Sequence, residues 1–355
     1  MIIDGFKYFP FSLKLKKPFF TSSKRIDSRT GFIISLTDEL NNSSFGECSP
    51  LPGFSAESLE DAEKNLIELK SSLVGIKFEN NLGTVDTALR EIPMLPSLRF
   101  AAEQAFVNLL LMRDGDIKTG QGIQPAKTIP VNAVSGIDSA EAVLKNIRNK
   151  IEDGFSVFKI KVGRENVYDD FILIEKIRNE FGDKIIIRLD ANRAWSADEA
   201  LEYLKNLASF NIEYAEEPCE HVCSNFRLVE ESPIPIALDE SLISFDNAEE
   251  IIDGCNAEYI VLKPMVLGGV LRTLDLIKKA EEKNKKIIIS SSFESAVGKS
   301  ALVLLAASVN HSLAHGLDTT GLFENNLCTD PFPVSSGRIE FDLINYPPNF
   351  NLAQV

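Results

Sequence analysis

The 355-residue chain sets 37 Lys+Arg against 52 Asp+Glu, a formal charge of −15, with 25% charged and 44% hydrophobic residues. That is a globular composition, long enough for a large barrel and a smaller partner domain. The acid excess, with no Lys/Arg cluster, argues against nucleic acid and anionic membrane surfaces as partners.

At the N-terminus, MIIDGFKYFPFSLKLKKPFF breaks its apolar positions with charges and offers no small-residue cleavage site, so it does not read as a signal peptide. Residues 1–125 read as an α+β capping domain. TGFIISLTD with the tip DELNNSS predicts antiparallel strands, and helices are expected near Glu57–Ser72 and Leu98–Leu111.

From about Thr128 the pattern changes. TIPVNAV, SVFKIKV, KIIIRLD, IEYAEE, PIALDE, AEYIVLK, KIIISSS and AHGLD begin near residues 128, 155, 184, 212, 235, 257, 286 and 314. Amphipathic stretches such as Asp169–Phe181 and Ala197–Leu207 lie between them. Eight strands alternating with helices predict an α/β fold, a (β/α)8-type barrel over residues 126–325, with a doubly wound open sheet as runner-up. The tail, 326–355, rich in Pro and Asn, is expected to return and complete the capping domain. Ala301–Val309, the most apolar stretch, is too short to span a bilayer. Cys48, Cys219, Cys223, Cys255 and Cys328 form no CxxC pair and read as reduced thiols, which with the missing leader predicts a soluble cytoplasmic protein. The sequence indicates no oligomeric state.

Three motifs fail. Gly298-Lys299-Ser300 would end a phosphate loop, but Phe293 stands where that loop needs glycine. Gly120-Gln121-Gly122 starts a dinucleotide fingerprint that breaks at Pro125. Cys219, His221 and Cys223 have the wrong spacing for structural zinc. With three histidines and no GxSxG, a serine-hydrolase triad is poorly supported.

What stands out is where charge falls on the strand ruler. In such a barrel the strand C-termini form the active-site mouth. The second strand ends Lys159-Ile160-Lys161, whose lysines share a face, so one lysine pKa is expected to fall. The third ends in Asp190, the fourth in Glu216-Glu217, the fifth in Asp239-Glu240 and the sixth in Lys263. Three carboxylates on successive strand ends suit Mg²⁺, a hard ion; alternation sends only one of Glu216 and Glu217 inward, and the residues alone do not choose. A substrate carboxylate on that ion acquires an α-proton that lysine can remove, which predicts proton abstraction followed by elimination, racemisation or cycloisomerisation.

These blocks resemble the enolase superfamily, which also serves as the general example of a lysine base paired with Mg²⁺. Within it they are similar to the o-succinylbenzoate synthase family of menaquinone biosynthesis. The resemblance runs along nearly the whole chain, through GECSPLPGFSAES (Gly46 to Ser58), FKIKVG (Phe158 to Gly163), RLDANRAW (Arg188 to Trp195), EEPC (Glu216 to Cys219), ALDES (Ala237 to Ser241), VLKP (Val261 to Pro264), SSSFES (Ser290 to Ser295) and GLDT (Gly316 to Thr319). It implies an enolase-like modified barrel and makes Asp190, Glu216 and Asp239 ligands of Mg²⁺, with Mn²⁺ as a substitute. It makes Lys161 the base, and then the acid, of a syn dehydration through an enediolate, Lys263 the stabiliser on the opposite face and Lys159 a support for charge near the reacting carboxylate. Ser290, Ser291, Ser292 and Gly316 would meet the succinyl carboxylate of a small dicarboxylate substrate, and Asn192 would order the surroundings of Asp190. The loop from about Pro18 to Arg29 and the segment Leu51 to Ser55, with Pro52 and Gly53, would close as a lid. Trp195 is expected only to pack. The nearest rivals are N-acylamino acid racemases and dipeptide epimerases; the latter carry Asp-x-Asp after the eighth strand, where this chain has Asp318-Thr319-Thr320. A barrel that binds a carboxylate without catalysis is the rival of another class.

Overall fold

The computed structural model describes residues 1–20, 25–114 and 125–352. The Gly120-Gln121-Gly122 stretch and residues 21–24 of the expected lid lie outside them.

The first domain begins with two long antiparallel strands, β1 (Ile3–Phe20) and β2 (Arg25–Asp38), followed by β3 (Ser43–Cys48) on the edge of β2. Strand alternation is visible in β1, where Phe11, Leu13 and Leu15 are buried between exposed Ser12, Lys14 and Lys16. The opening stretch is therefore a strand. Asp38 holds the β2–β3 turn by accepting from the amides of Leu40 and Asn42, both at 2.9 Å. Three helices follow: α1 (Leu59–Leu73), α2 (Leu82–Arg90) and α3 (Pro96–Asp114). One sheet face buries Ile3, Phe6, Phe32 and Ile34 against Leu66, Leu98 and Phe106 of these helices.

After the short strand β4 (Thr128–Pro130), the second unit is a parallel sheet in the order β5 (Ala133–Ser135), β6 (Val157–Lys161), β7 (Ile186–Asp190), β8 (Ile212–Glu216), β9 (Ile236–Leu238), β10 (Tyr259–Leu262) and β11 (Lys286–Ile289). Its ends join through residues 314–316. Gly316 N donates to Ile289 O at 2.9 Å, while His315 N donates to Pro130 O at 2.8 Å and Asn132 N to His315 O at 3.0 Å. These bonds close the sheet on both sides of the eighth strand and decide for a barrel over an open sheet. The outer strand faces pack under the helices α4 (Ala140–Glu152), α5 (Val167–Phe181), α6 (Ala197–Leu207), α7 (Val222–Glu231), α8 (Phe245–Gly254), α9 (Pro264–Leu267), α10 (Val270–Glu282) and α11 (Ala296–Ala307), which is why the strands read as nearly continuous apolar runs. Ser196 and Glu199 form a capping box that starts α6 directly behind the strand-three loop.

The tail divides its contacts. Residues Arg338–Glu340 pair antiparallel with Thr128–Pro130, and Ile339, Phe341 and Tyr346 join the barrel core. Leu327 before them and Phe350 beyond them reach the first domain, Phe350 edge-on to Phe45. The other face of the first sheet meets the barrel through a third core, in which Phe11, Leu13 and Ile33 pack with Leu51, Val297, Phe323 and Leu327. This core brings residues 49–55 over the barrel mouth. No helix among the described residues is long and apolar enough to cross a membrane.

Candidate active site

Parallel register sets the acids and lysines on one rim. Lys161 pairs with Asp190, and Asp190 with Glu216. Asp239 lies one residue beyond β9, and Lys263 one beyond β10. Asp190, Glu216 and Asp239 are all but inaccessible, so each needs a cation. Lys159 Nζ lies 2.6 Å from Glu216 Oε1 and 2.9 Å from Asp190 Oδ2, Lys161 Nζ lies 2.8 Å from the same Asp190 oxygen, and Lys263 pairs with Asp239. The two lysines of β6 thus share a face.

At Lys159 the electrostatics run against the expected fall. Burial alone would depress the Lys159 pKa, but Asp190, Glu216 and Asp239 outweigh it and hold the ammonium well above the ordinary lysine range. Three carboxylates around the pair, not lysine–lysine repulsion, dominate at Lys159. Lys263 is raised in the same way, its burial overcome by Asp239, Glu240 and Glu216. Asp190, despite burial, is pulled below the usual carboxylate range by Lys159 and Lys161. Glu216 is pushed up by burial and by Asp190 and Asp239, against the pull of Lys159.

The structure also separates Glu216 from Glu217. Glu217, at φ 39, turns away from the rim and accepts from Ser241 Oγ at 2.5 Å, Asn225 Nδ2 at 2.9 Å and the backbone amide of Asp239 at 3.0 Å. It builds the loop that carries Asp239, while Glu216 faces the mouth. Asn192 Oδ1 accepts from Lys161 Nζ, and its Nδ2 donates to Glu240 Oε1 at 2.8 Å. Its backbone amide lies 3.3 Å from Asp190 Oδ1.

Phe54 covers the mouth: Lys263 Nζ sits 4.3 Å from the centre of its ring. Pro52 and Gly53 are exposed at the tip of this segment, with Gly53 at φ 81, a left-handed turn that favours glycine. Arg29, fully buried, pins the segment by donating to Ser49 O at 2.5 Å, Pro50 O at 3.0 Å and Phe293 O at 3.3 Å. Glu47 accepts from Ser49 Oγ at 2.7 Å, Ser295 Oγ at 2.5 Å and Gly298 N at 2.9 Å, so a first-domain carboxylate caps the N-terminus of α11.

The serine loop is more inward than a bare binding loop. Ser291 Oγ donates to Glu294 Oε2 at 2.5 Å and is 2.9 Å from Thr319 Oγ1; Ser292 is fully buried, its amide 2.7 Å from the same Glu294 oxygen. Ser290 is half-buried, and a Cβ at Gly316 would meet its Oγ at 2.9 Å, so the eighth strand lies close against this hydroxyl. Asp318 is ion-paired with Lys150 at 2.7 Å. Trp195 packs on Tyr203.

A profile described as "Enolase C-terminal domain-like" matches residues 142–343, and one described as "MenC, N-terminal domain" matches residues 4–108. The o-succinylbenzoate synthase of Vibrio cholerae is 32% identical over 323 residues, 88% of each chain. The chain belongs to the enolase superfamily, in its o-succinylbenzoate synthase family. Protein PHYLLO, chloroplastic, of Arabidopsis thaliana is 28% identical over 89% of this chain, but the chain covers only 21% of that protein's length. In three dimensions, a dipeptide epimerase from Enterococcus faecalis, complexed with Mg and a dipeptide, superposes with a TM-score of 0.88 at 22% identity, covering 96% of this chain and 98% of the other. At that identity the likeness speaks for the enolase-like fold.

The acids and lysines of the rim are legible in the strand pattern, whereas the contacts of Phe54, Glu47 and Arg29 are not. Phe54 and Glu47 lie inside the block Gly46 to Ser58, the only signal available for them, because their partners are more than two hundred residues away. Glu240 was visible as the neighbour of Asp239, without a role.

Proposed function

We propose that this chain is an o-succinylbenzoate synthase, which dehydrates 2-succinyl-6-hydroxy-2,4-cyclohexadiene-1-carboxylate to o-succinylbenzoate in menaquinone biosynthesis. The observation that carries the reading is the placement of Lys161 on β6 and Lys263 after β10, on either side of the carboxylate rim centred on β8, in a chain related over 88% of its length to a protein of that name.

Mg²⁺ fits the donor chemistry. Among the described residues no His, Cys, Asp or Glu trio stands ready as a metal cage, since the three carboxylates are turned to ammoniums. Yet the donors are hard oxygens on adjacent strand ends, and two of them, from Asp190 and Glu216, already lie on one cationic group, the Lys159 ammonium, which supports the reading. Asp190, Glu216 and Asp239 would hold the ion, and Mn²⁺ could replace it. When bound, it supplies positive charge where the substrate carboxylate gains negative charge.

The chain's own groups do the rest. Lys161 removes the α-proton and returns it to the departing hydroxyl on the same face. Asn192 Oδ1 steadies its nitrogen. Lys263, from the opposite side, offsets charge on the enediolate. Lys159 supports charge near the reacting carboxylate. The Phe54 segment and the loop Ser290–Ser292 with Gly316 enclose the succinyl arm and exclude water. With an ion and three lysines against three carboxylates the mouth is locally positive, so it attracts a small dicarboxylate although the chain is acidic as a whole. All five cysteines are free thiols, in keeping with a cytoplasmic setting.

The pairing of Asp318 with Lys150 argues against the dipeptide epimerase reading, which needs acids there for a substrate ammonium. The test is turnover of the cyclohexadiene substrate by Mg²⁺-loaded protein, followed by ultraviolet absorbance. Formation of o-succinylbenzoate supports the synthase; no turnover by folded, metal-bound protein refutes it.

A further inference from the structure

Glu240 is half-buried, and its carboxylate has no role in the chemistry above. It follows Asp239 on the loop after β9, and one of its oxygens, Oε1, accepts from Asn192 Nδ2 at 2.8 Å. The other, Oε2, is buried without a hydrogen-bond partner. Its backbone carbonyl accepts from the Arg193 guanidinium. On the facing loop, Asn192 and Arg193 both sit in the left-handed region, at φ 44 and φ 67. One such residue is tolerated at a turn, but two in succession are strained, and an arginine there is unusual. The strain is held by the backbone bonds from Arg193 N to Glu217 O at 2.8 Å and from Ala194 N to Ala191 O at 3.1 Å. Its effect is to stand the Asn192 carboxamide upright between Lys161 and Glu240.

A carboxamide has a donor end and an acceptor end of nearly the same shape. Only the acceptor end can serve an ammonium. A carboxylate on the far side accepts from the amide nitrogen alone and so selects the orientation in which Oδ1 faces Lys161. We propose that Glu240 is a positioning residue for Lys161: by holding Asn192 Nδ2 it fixes the carboxamide, and through it the place of the Lys161 nitrogen. Without Glu240 the amide is free to turn its NH2 toward the ammonium, and the two donors separate. This inference rests on the reading of Lys161 as the base.

The test compares Glu240→Ala with Glu240→Gln, which keeps an acceptor oxygen. Glu240→Ala is expected to lower kcat about 10- to 100-fold, the scale of a misplacement near 1 Å, with KM within about threefold of the parent. Glu240→Gln is expected to recover most of that loss, and the Asn192→Ala/Glu240→Ala pair to be no worse than Glu240→Ala alone, because both cut one chain of contacts. A crystal structure of Glu240→Ala should show Lys161 Nζ departed from the Asn192 oxygen. Unchanged kcat, a loss confined to KM, or an intact Lys161–Asn192 contact in that crystal overturns the proposal. If Glu240→Ala does not fold, Asn192→Ala carries the test by the same kcat loss, and its full activity overturns the proposal. The crystal readout holds even if the parent protein fails to dehydrate the cyclohexadiene substrate, a result that would sink the functional reading and leave the positioning claim to be judged on geometry.

Discussion

The Phe54 ring of the first domain lies against the Lys263 ammonium of the barrel, 4.3 Å from nitrogen to ring centre. On its other side the same ammonium is paired with Asp239. A residue of the segment 49–55 therefore lies against one of the two lysines that flank the rim, and under the proposed function this joins closure and catalysis at one atom. Replacing Phe54 by Leu keeps apolar cover but removes the ring face. A cation–π contact in a partly desolvated site is worth about 1–2 kcal/mol, so kcat/KM should fall about 5- to 30-fold, while Phe54→Trp should keep most of the activity. Equal rates for Phe54→Leu and the parent would show that the ring only covers the site.

The two adjacent glutamates at the end of β8 should separate in the laboratory as they do in space. Glu216→Gln is expected to weaken Mg²⁺ binding at least about tenfold in calorimetry, with little change in the urea midpoint. Glu217→Gln should do the opposite. It disturbs the bonds to Ser241 and the Asp239 amide, at about 1–3 kcal/mol of stability, and leaves Mg²⁺ affinity close to the parent's. Equal loss of Mg²⁺ affinity in both variants would contradict the assignment.

Glu47 ties the first domain to α11 through Ser295 and Gly298. Glu47→Ala removes a charged acceptor from several donors at once, and about 3 kcal/mol of stability should go with it. Protease cleavage in residues 49–55 should also accelerate, because the segment loses its anchor at Ser49. A variant as stable as the parent would show that the domains hold together through their apolar core alone.

Stability should depend on pH through two buried acids other than the rim carboxylates. Burial lifts the carboxyls of both Glu103 and Glu294 to about 7. Between the unfolded value near 4.3 and 7, the folded chain keeps protons that the unfolded chain releases. The stability due to these groups is therefore full below the unfolded value and is lost as pH rises through 7, at up to about 1.4 kcal/mol per pH unit for each group. Urea unfolding at pH 5 and pH 7 should show a smaller decline for Glu294→Gln than for the parent. Identical declines would contradict the shift.

Much of this site was legible because barrel strands repeat at a steady pace and end at one mouth. Once SVFKIKV, KIIIRLD and AEYIVLK are placed as strands, Lys159, Lys161, Asp190 and Lys263 fall at the mouth without further information. Glu216 and Glu217 were not separable by the residues alone, because both are buried and the left-handed turn at Glu217 breaks the alternation that would sort them. The inward hydrogen bonds of Ser291 and Ser292 depend on Glu294, a local partner whose burial follows from the distant Glu47 and Arg29. Contacts such as Phe54 with Lys263 have no periodicity to reveal them. The tail's own strand was hidden for a similar reason: a three-residue strand such as Arg338–Glu340 is too short to announce its partner, Thr128–Pro130.

The central claim is that Lys161 is the base of a dehydration on this rim. The most direct measurement incubates parent and Lys161→Ala with Mg²⁺ in deuterated water, once with the cyclohexadiene substrate and once with an N-succinyl amino acid. The parent should form o-succinylbenzoate, and Lys161→Ala should lose about 10²- to 10⁴-fold in rate while still binding Mg²⁺. Deuterium washed into the N-succinyl amino acid with no o-succinylbenzoate formed, or full activity in Lys161→Ala, would contradict the account.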